Sequence, residues 1–213
     1  MSKQLLAALI AALAIAPVAA FAADAAKPAA AAAKAAPAAP AKAAAPAAPA
    51  TPAAPAAPAR PPELAQLDFF QGTWSCTGTT FANPMGPEHA TTATVHAGKA
   101  VGDRWVHVSY DENKTAANPN PYHVGVYMGY DSGAKKFVEG CVDNFGGYCT
   151  QSGSGWNGDT MVFEGTADGS GPTVEVRDTF VKKGSNELTH TGELQGENKL
   201  WSKTDEESCH KAK

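Results

Sequence analysis

The chain has 213 residues and a formal net charge of −4, with 17 basic and 21 acidic residues. The first 60 residues hold five basic residues and one acid, so the remainder carries 12 basic against 20 acidic, a net of −8. An acidic surface without a basic stripe repels phosphate backbones and excludes nucleic acid as a partner, while about 150 residues suffice for one domain with a single core.

Residues 1–22 read as a secretory signal. Lys3 precedes an apolar run from Leu5 to Ala16, Pro17 breaks it, and Ala20-Phe21-Ala22 has the small-x-small form that places cleavage between Ala22 and Ala23. The run falls short of the ~20 residues a spanning helix needs, and no cysteine follows it. The mature protein is therefore expected to be periplasmic, with neither a transmembrane span nor a lipid anchor. Residues 23–62 repeat Ala-Ala-Pro with scattered lysines. Such a segment is expected to be a disordered, extended linker reaching on the order of 100 Å at ~3.1 Å per residue. Its lysines suit contact with anionic polymer of the cell wall or envelope.

The domain, residues 63–211, opens with Pro61-Pro62 followed by Leu64, Leu67 and Phe70, the pattern of a short amphipathic helix. The period then changes to two. Strands are expected at 72–80, 90–97, 103–111, three between Tyr122 and Gln151, then at about 160–166, 173–182, 187–194 and 199–206. On the third strand Val106, Val108 and Tyr110 share one face and Trp105, His107 and Ser109 the other. On the eighth, Val174, Val176, Asp178 and Phe180 share a face. Asp131-Ser132-Gly133, Asn144 to Gly147 and Asn157-Gly158 mark hairpin turns, the last suited to type I′. About ten short strands without long crossovers predict an all-β, up-and-down antiparallel barrel, whose closure removes exposed sheet edges.

Four cysteines in an exported chain predict two disulfides. Cys141 and Cys149 are equidistant from Phe145, so they oppose each other across one hairpin. Cys76 on the first strand and Cys209 after the last are neighbours once the barrel closes. No Cys-x-x-Cys or zinc spacing competes with this pairing.

Gly72-Thr73-Trp74, Gly102-Asp103-Arg104-Trp105, Met128-Gly129-Tyr130-Asp131, Lys136-Phe137-Val138 and Val142-Asp143 occur in that order. The set resembles domain-of-unknown-function family 1579, a bacterial family with a lipocalin-like (calycin) barrel, over residues 64–206. The resemblance implies a small barrel with an internal cavity and no catalytic residues. The linker and the cysteines depart from it and fit export. A haem-binding barrel family shares the Gly-Thr-Trp opening and uses a histidine near its C-terminus. Here that position is His210, beside a cysteine expected to be stapled, so no haem, metal or other cofactor is expected.

The six histidines make no His-x-His or His-x-x-x-His. Trp105, His107, His123, Tyr127, Phe163 and His190 are the expected lumen-lining, ligand-contacting residues. Trp74 is expected to plug one barrel end, stacked on Arg177 or Arg104, and Asp131 and Asp143 to shape their turns. No Gly-x-Ser-x-Gly elbow or phosphate-cradling loop points to an enzyme. The sequence favours a monomeric, non-enzymatic barrel binding a small, partly apolar molecule. The alternative is a tethered structural or interaction module whose barrel is filled by side chains.

Overall fold

The computed structural model describes residues 59–169 and 171–212. The expected signal and most of the expected linker lie outside the described residues. Ten strands follow a short helix: β1 (Gly72–Thr80), β2 (His89–Ala100), β3 (Trp105–Glu112), β4 (His123–Asp131), β5 (Lys136–Asp143), β6 (Tyr148–Gly153), β7 (Thr160–Asp168), β8 (Val174–Lys182), β9 (Glu187–Gln195) and β10 (Trp201–Lys211). Each strand pairs antiparallel with the next, and β1 pairs with β10, so the sheet is a closed up-and-down barrel. No described helix is long and apolar enough to cross a membrane.

The opening segment Pro62–Phe70 is a 3-10 helix rather than an α-helix. The sequence explains this: Leu64, Leu67 and Phe70 recur every third residue, and only a helix with three residues per turn aligns them on one face. That face is buried and closes one end of the barrel. Arg60, placed in the linker by composition, already belongs to this end. Its guanidinium donates to the Asp103 and Leu64 carbonyls and pairs with Asp68. Trp156 donates its indole N–H to the Gln66 carbonyl at 2.9 Å, and its backbone N–H to the Gln66 side chain.

Above the helix the lumen is filled by apolar side chains. Phe137, Met161, Phe163, Val106 and Met128 are all at most 3% exposed. Burying a side chain of this size contributes ~1.5–3 kcal/mol, so this floor is the domain's main source of hydrophobic stability. Trp74 belongs to it and donates its indole N–H to the Phe70 carbonyl at 2.7 Å. The cation over its ring is Lys211 at 4.9 Å. Of the two arginines expected in that role, Arg177 instead lies on the outer wall over Trp201 at 4.4 Å, between Glu164 and Glu193, and Arg104 donates to the Ala59 carbonyl.

Both disulfides join directly opposed residues: Cys76 with Cys209 across β1 and β10, and Cys141 with Cys149 across β5 and β6. The turn at Asn157 differs from expectation. Asn157 and Thr160 exchange both backbone hydrogen bonds, so Gly158-Asp159 is the two-residue loop, and of its residues only Gly158 has a positive φ, 60°. A type I′ turn needs two positive φ angles, whereas one at the first central position suits a glycine-led turn.

Candidate functional site

Alternation along each strand decides which side chains enter the barrel. On β3 the inward set is Val106, Val108, Tyr110 and Glu112, of which the first and last are buried. Trp105 and His107 therefore face outward. Trp105 lies over Gly129, where a Cβ would collide with its ring. The His107 ring lies tilted against that of Tyr127, which is 44% exposed, and His123 pairs with Asp111 at 3.0 Å on the same outer wall. Four of the six residues expected in the lumen thus lie outside it. The cause is one choice of face on β3 and β4: the aromatic and histidine positions compete with the valines for the lumen, and the valines take it. His107 and Tyr127 border a shallow outer groove of about 580 Å³ with His96 and Lys99.

Phe163 and His190 do face the lumen, at different heights. Phe163 is wholly buried in the floor. His190 sits higher, its ring 4.8 Å from that of Phe180, which in turn packs on Phe70 of the helix. From His190 toward the end opposite the helix the lumen changes character. Its Nε2 donates to Asp178 on β8 at 2.9 Å and its Nδ1 to Asp205 on β10 at 3.0 Å. Both ring nitrogens donate only in imidazolium. Burial opposes that charge, but the Asp205 charge and the two hydrogen bonds outweigh it and hold the pKa well above 6.5. Reciprocally, Asp205 is lowered against its own burial by the His190 charge.

Asp205 reaches the lumen through a β-bulge. The β9–β10 register slips between Lys203 and Asp205, which turns Trp201 outward beside Arg177 and Asp205 inward. Its partner across the ladder is Gly192, where any Cβ would run into the Asp205 carboxylate. The chamber wall continues with Glu207, which accepts from the Tyr110 hydroxyl at 2.8 Å. Burial raises both of these groups. Gln151 on β6 donates its amide to Asp178. Opposite Gln151 on β5 is Glu139, 6% exposed, with its carboxyl held well above the usual range by burial and then by the Asp178 charge.

Two carboxylates near the mouth are committed to structure. Glu112 accepts from His89, from the Asn118 amide and from the Tyr122 backbone N–H, which seats the 113–122 loop. Asp143 accepts from the Phe145 and Gly147 N–H groups at its turn, and Asp131 does the same for Gly133 and Ala134. Among the described residues the group with metal-ligand spacing is Cys76, Glu207 and Cys209. Both of those sulfurs are already bonded in a disulfide, so the set offers no thiolate ligands.

Sequence reasoning missed Glu139, Gln151, Asp178, Asp205, Glu207 and Tyr110 as site residues. A usable signal existed for two of the carboxylates. Asp178 shares a strand face with Val176 and Phe180, and Glu139 shares one with Phe137 and Cys141. A carboxylate on an otherwise apolar strand face is the departure that marks a site.

A solved structure, Rv2717c from M. tuberculosis, superposes with a TM-score of 0.55 at 12% identity, covering 73% of this chain and 100% of that chain. At that identity the likeness establishes the barrel fold alone. Among curated proteins none matches. A family profile described as "Protein of unknown function (DUF1579)" matches residues 61–210, and the chain belongs to that family.

Proposed function

We propose that this domain is an exported, non-enzymatic barrel that binds one small, partly apolar molecule in the upper lumen. One observation carries the reading. His190, Asp178 and Asp205 are lumen-facing, yet they keep 20%, 25% and 28% of their side-chain surface accessible, whereas floor residues keep almost none. Surface left open on inward-facing groups belongs to space inside the barrel. The walls there are mixed, with Tyr110, Tyr122, Val176 and Phe180 beside the carboxylates, as suits a ligand with an apolar body and a polar end. Export is supported by the signal-like residues 1–22 and by two disulfides.

The test is native mass spectrometry of the protein purified from its exported compartment. A reproducible adduct of a few hundred daltons, lost on unfolding, supports the reading. A bare mass under gentle conditions, together with no ligand-dependent change in melting temperature across a metabolite panel, sinks it. The same spectrum reads the N-terminus, which is expected at Ala23. The packed floor and the shallow outer groove support the second reading, a tethered interaction module. That reading gains if deleting 23–62 changes the partners captured while the barrel carries no adduct.

A further inference from the structure

One enclosed acceptor in the chamber lacks a donor, and a carboxyl stands opposite it. Gln151 is 6% exposed, and its Oε1 has no hydrogen-bond partner. Its orientation is fixed, because the amide nitrogen donates to the Asp178 carboxylate and a flipped amide would set oxygen against oxygen. Glu139 is also 6% exposed and shares no hydrogen bond with a described residue, but its carboxyl oxygens, unlike Gln151 Oε1, are not wholly enclosed. The two are directly opposed on β5 and β6, so their β carbons lie ~4.5–5.5 Å apart. A buried acceptor left unpaired costs ~1–3 kcal/mol, and Gln151 Oε1 with the Glu139 carboxyl beside it defines a place for a donor. Among the described residues Glu139, Asp178, Asp205 and Glu207 surround His190, and the inward-facing Glu112 is already paired with His89 nearer the mouth.

Accepting the lumen as a binding site, we propose that it takes an organic cation. A primary ammonium or amidinium head would donate to Glu139 and Gln151, while the apolar body lies against the Tyr110, Tyr122 and Phe180 side of the chamber. A metal ion fits less well. The lumen carboxylates form no cluster at ligand spacing among the described residues, and separated acceptors suit a molecule several ångströms across. Aromatic walls add favourable contacts to a cation once it is desolvated.

Seating a cation beside Glu139 ionises it. Met128 on β4 and Gln151 on β6 flank it without charge. Asp178 on β8 and His190 on β9 act on it across the lumen, with Asp205 and Glu207 on β10 and Tyr110 on β3 farther round. Because burial and Asp178 keep the free carboxyl protonated above its usual range, binding should release a proton and tighten as pH rises.

The experiment is calorimetric titration of the full-length mature protein with benzamidine, 2-phenylethylamine and cadaverine, alongside 2-phenylethanol and 3-phenylpropionate. At least one cation should bind ~10-fold or more tightly than the neutral and anionic probes. Its heat should depend on the buffer's ionisation enthalpy, as proton release requires. Glu139→Gln, a change of the same size that leaves a folded barrel, should remove that preference and the buffer dependence while 2-phenylethanol binding persists. If the neutral or anionic probe binds as well as the cations, or the variant binds cations unchanged, the cation inference is overturned and the binding barrel stands. If no probe binds up to millimolar concentration, the cation inference is overturned, and the native mass spectrum alone decides whether the binding barrel falls with it.

Discussion

The two halves of the lumen are built on the same strands and yet obey different rules. Toward the helix, inward positions are Val, Met, Phe and Trp, exposed by a few per cent at most and interlocked with Leu64, Leu67 and Phe70. Toward the mouth the same strands turn inward Tyr110, Glu139, Gln151, Asp178, His190, Asp205 and Glu207. Close packing stabilises and tolerates no change of volume. A polar chamber in low dielectric contributes little net stability and depends on every partner being present. The floor therefore holds the barrel shut, and the chamber is where the fold has left chemistry unpaired.

The disulfides give the largest test of that division. Cys76–Cys209 closes 133 residues and ties β1 to β10, while Cys141–Cys149 closes 8 within one hairpin. On chain entropy, replacing the first pair with serines should cost about 5 kcal/mol and replacing the second about half that. Urea unfolding of the two double variants checks it, and equal losses would mean that closure is held by packing alone. Next in size is Phe163→Ala in the floor. With the side chain fully buried, the loss should be ~3–5 kcal/mol. A drop near 1 kcal/mol by the same measurement would show the floor to be loosely packed.

The division was only half legible in the sequence. Strand number, hairpin order and the Cys141–Cys149 pair follow from turn spacing and period-two alternation, which are local, and Cys76–Cys209 follows once those strands close into a barrel. The face of β3 and β4 was not, because Val106 and Val108 compete with Trp105 and His107 for the lumen, and period two alone cannot say which set turns inward. Steric demand decided it, since the β-branched residues fit the narrow floor and Trp105 found room over Gly129 outside. The bulge before Asp205 was invisible for another reason. It depends on the missing Cβ of Gly192 one strand away, and no pattern within β10 announces it.

The chamber's ion pairs should show themselves through pH. His190 has a folded pKa above its unfolded 6.5, so its contribution is complete below pH 6.5 and fades as pH rises through the folded value. Asp205 is depressed below 3.8, so its contribution is complete above that and fades as pH falls through its folded value. Both act fully between about pH 4 and 6.5. In that window Asp205→Asn should cost roughly 1–3 kcal/mol, less than a fully buried pair because both groups are partly accessible. The penalty should shrink toward alkaline pH as the wild-type His190 loses its proton. Unfolding free energies measured from pH 4 to 10 test this, and a penalty independent of pH would remove the imidazolium from the account.

Glu139→Gln should give the smallest effect and, unlike the others, a stabilising one. A carboxyl whose folded pKa is raised favours the fold below its unfolded value near 4.5 and loses that contribution as pH climbs through the folded one. At neutral pH the empty chamber therefore bears the cost of a buried acid with no partner, and an amide of the same shape removes it. The gain should be about 1 kcal/mol at pH 7.5 and close to zero at pH 4.5. No floor substitution can behave this way, because nothing there titrates against the fold. A stability gain that coincides with weaker cation binding would place function and strain on one side chain. A loss of stability at both pH values would instead make Glu139 a structural member of the wall, and the contrast between floor and chamber would fail at its central residue.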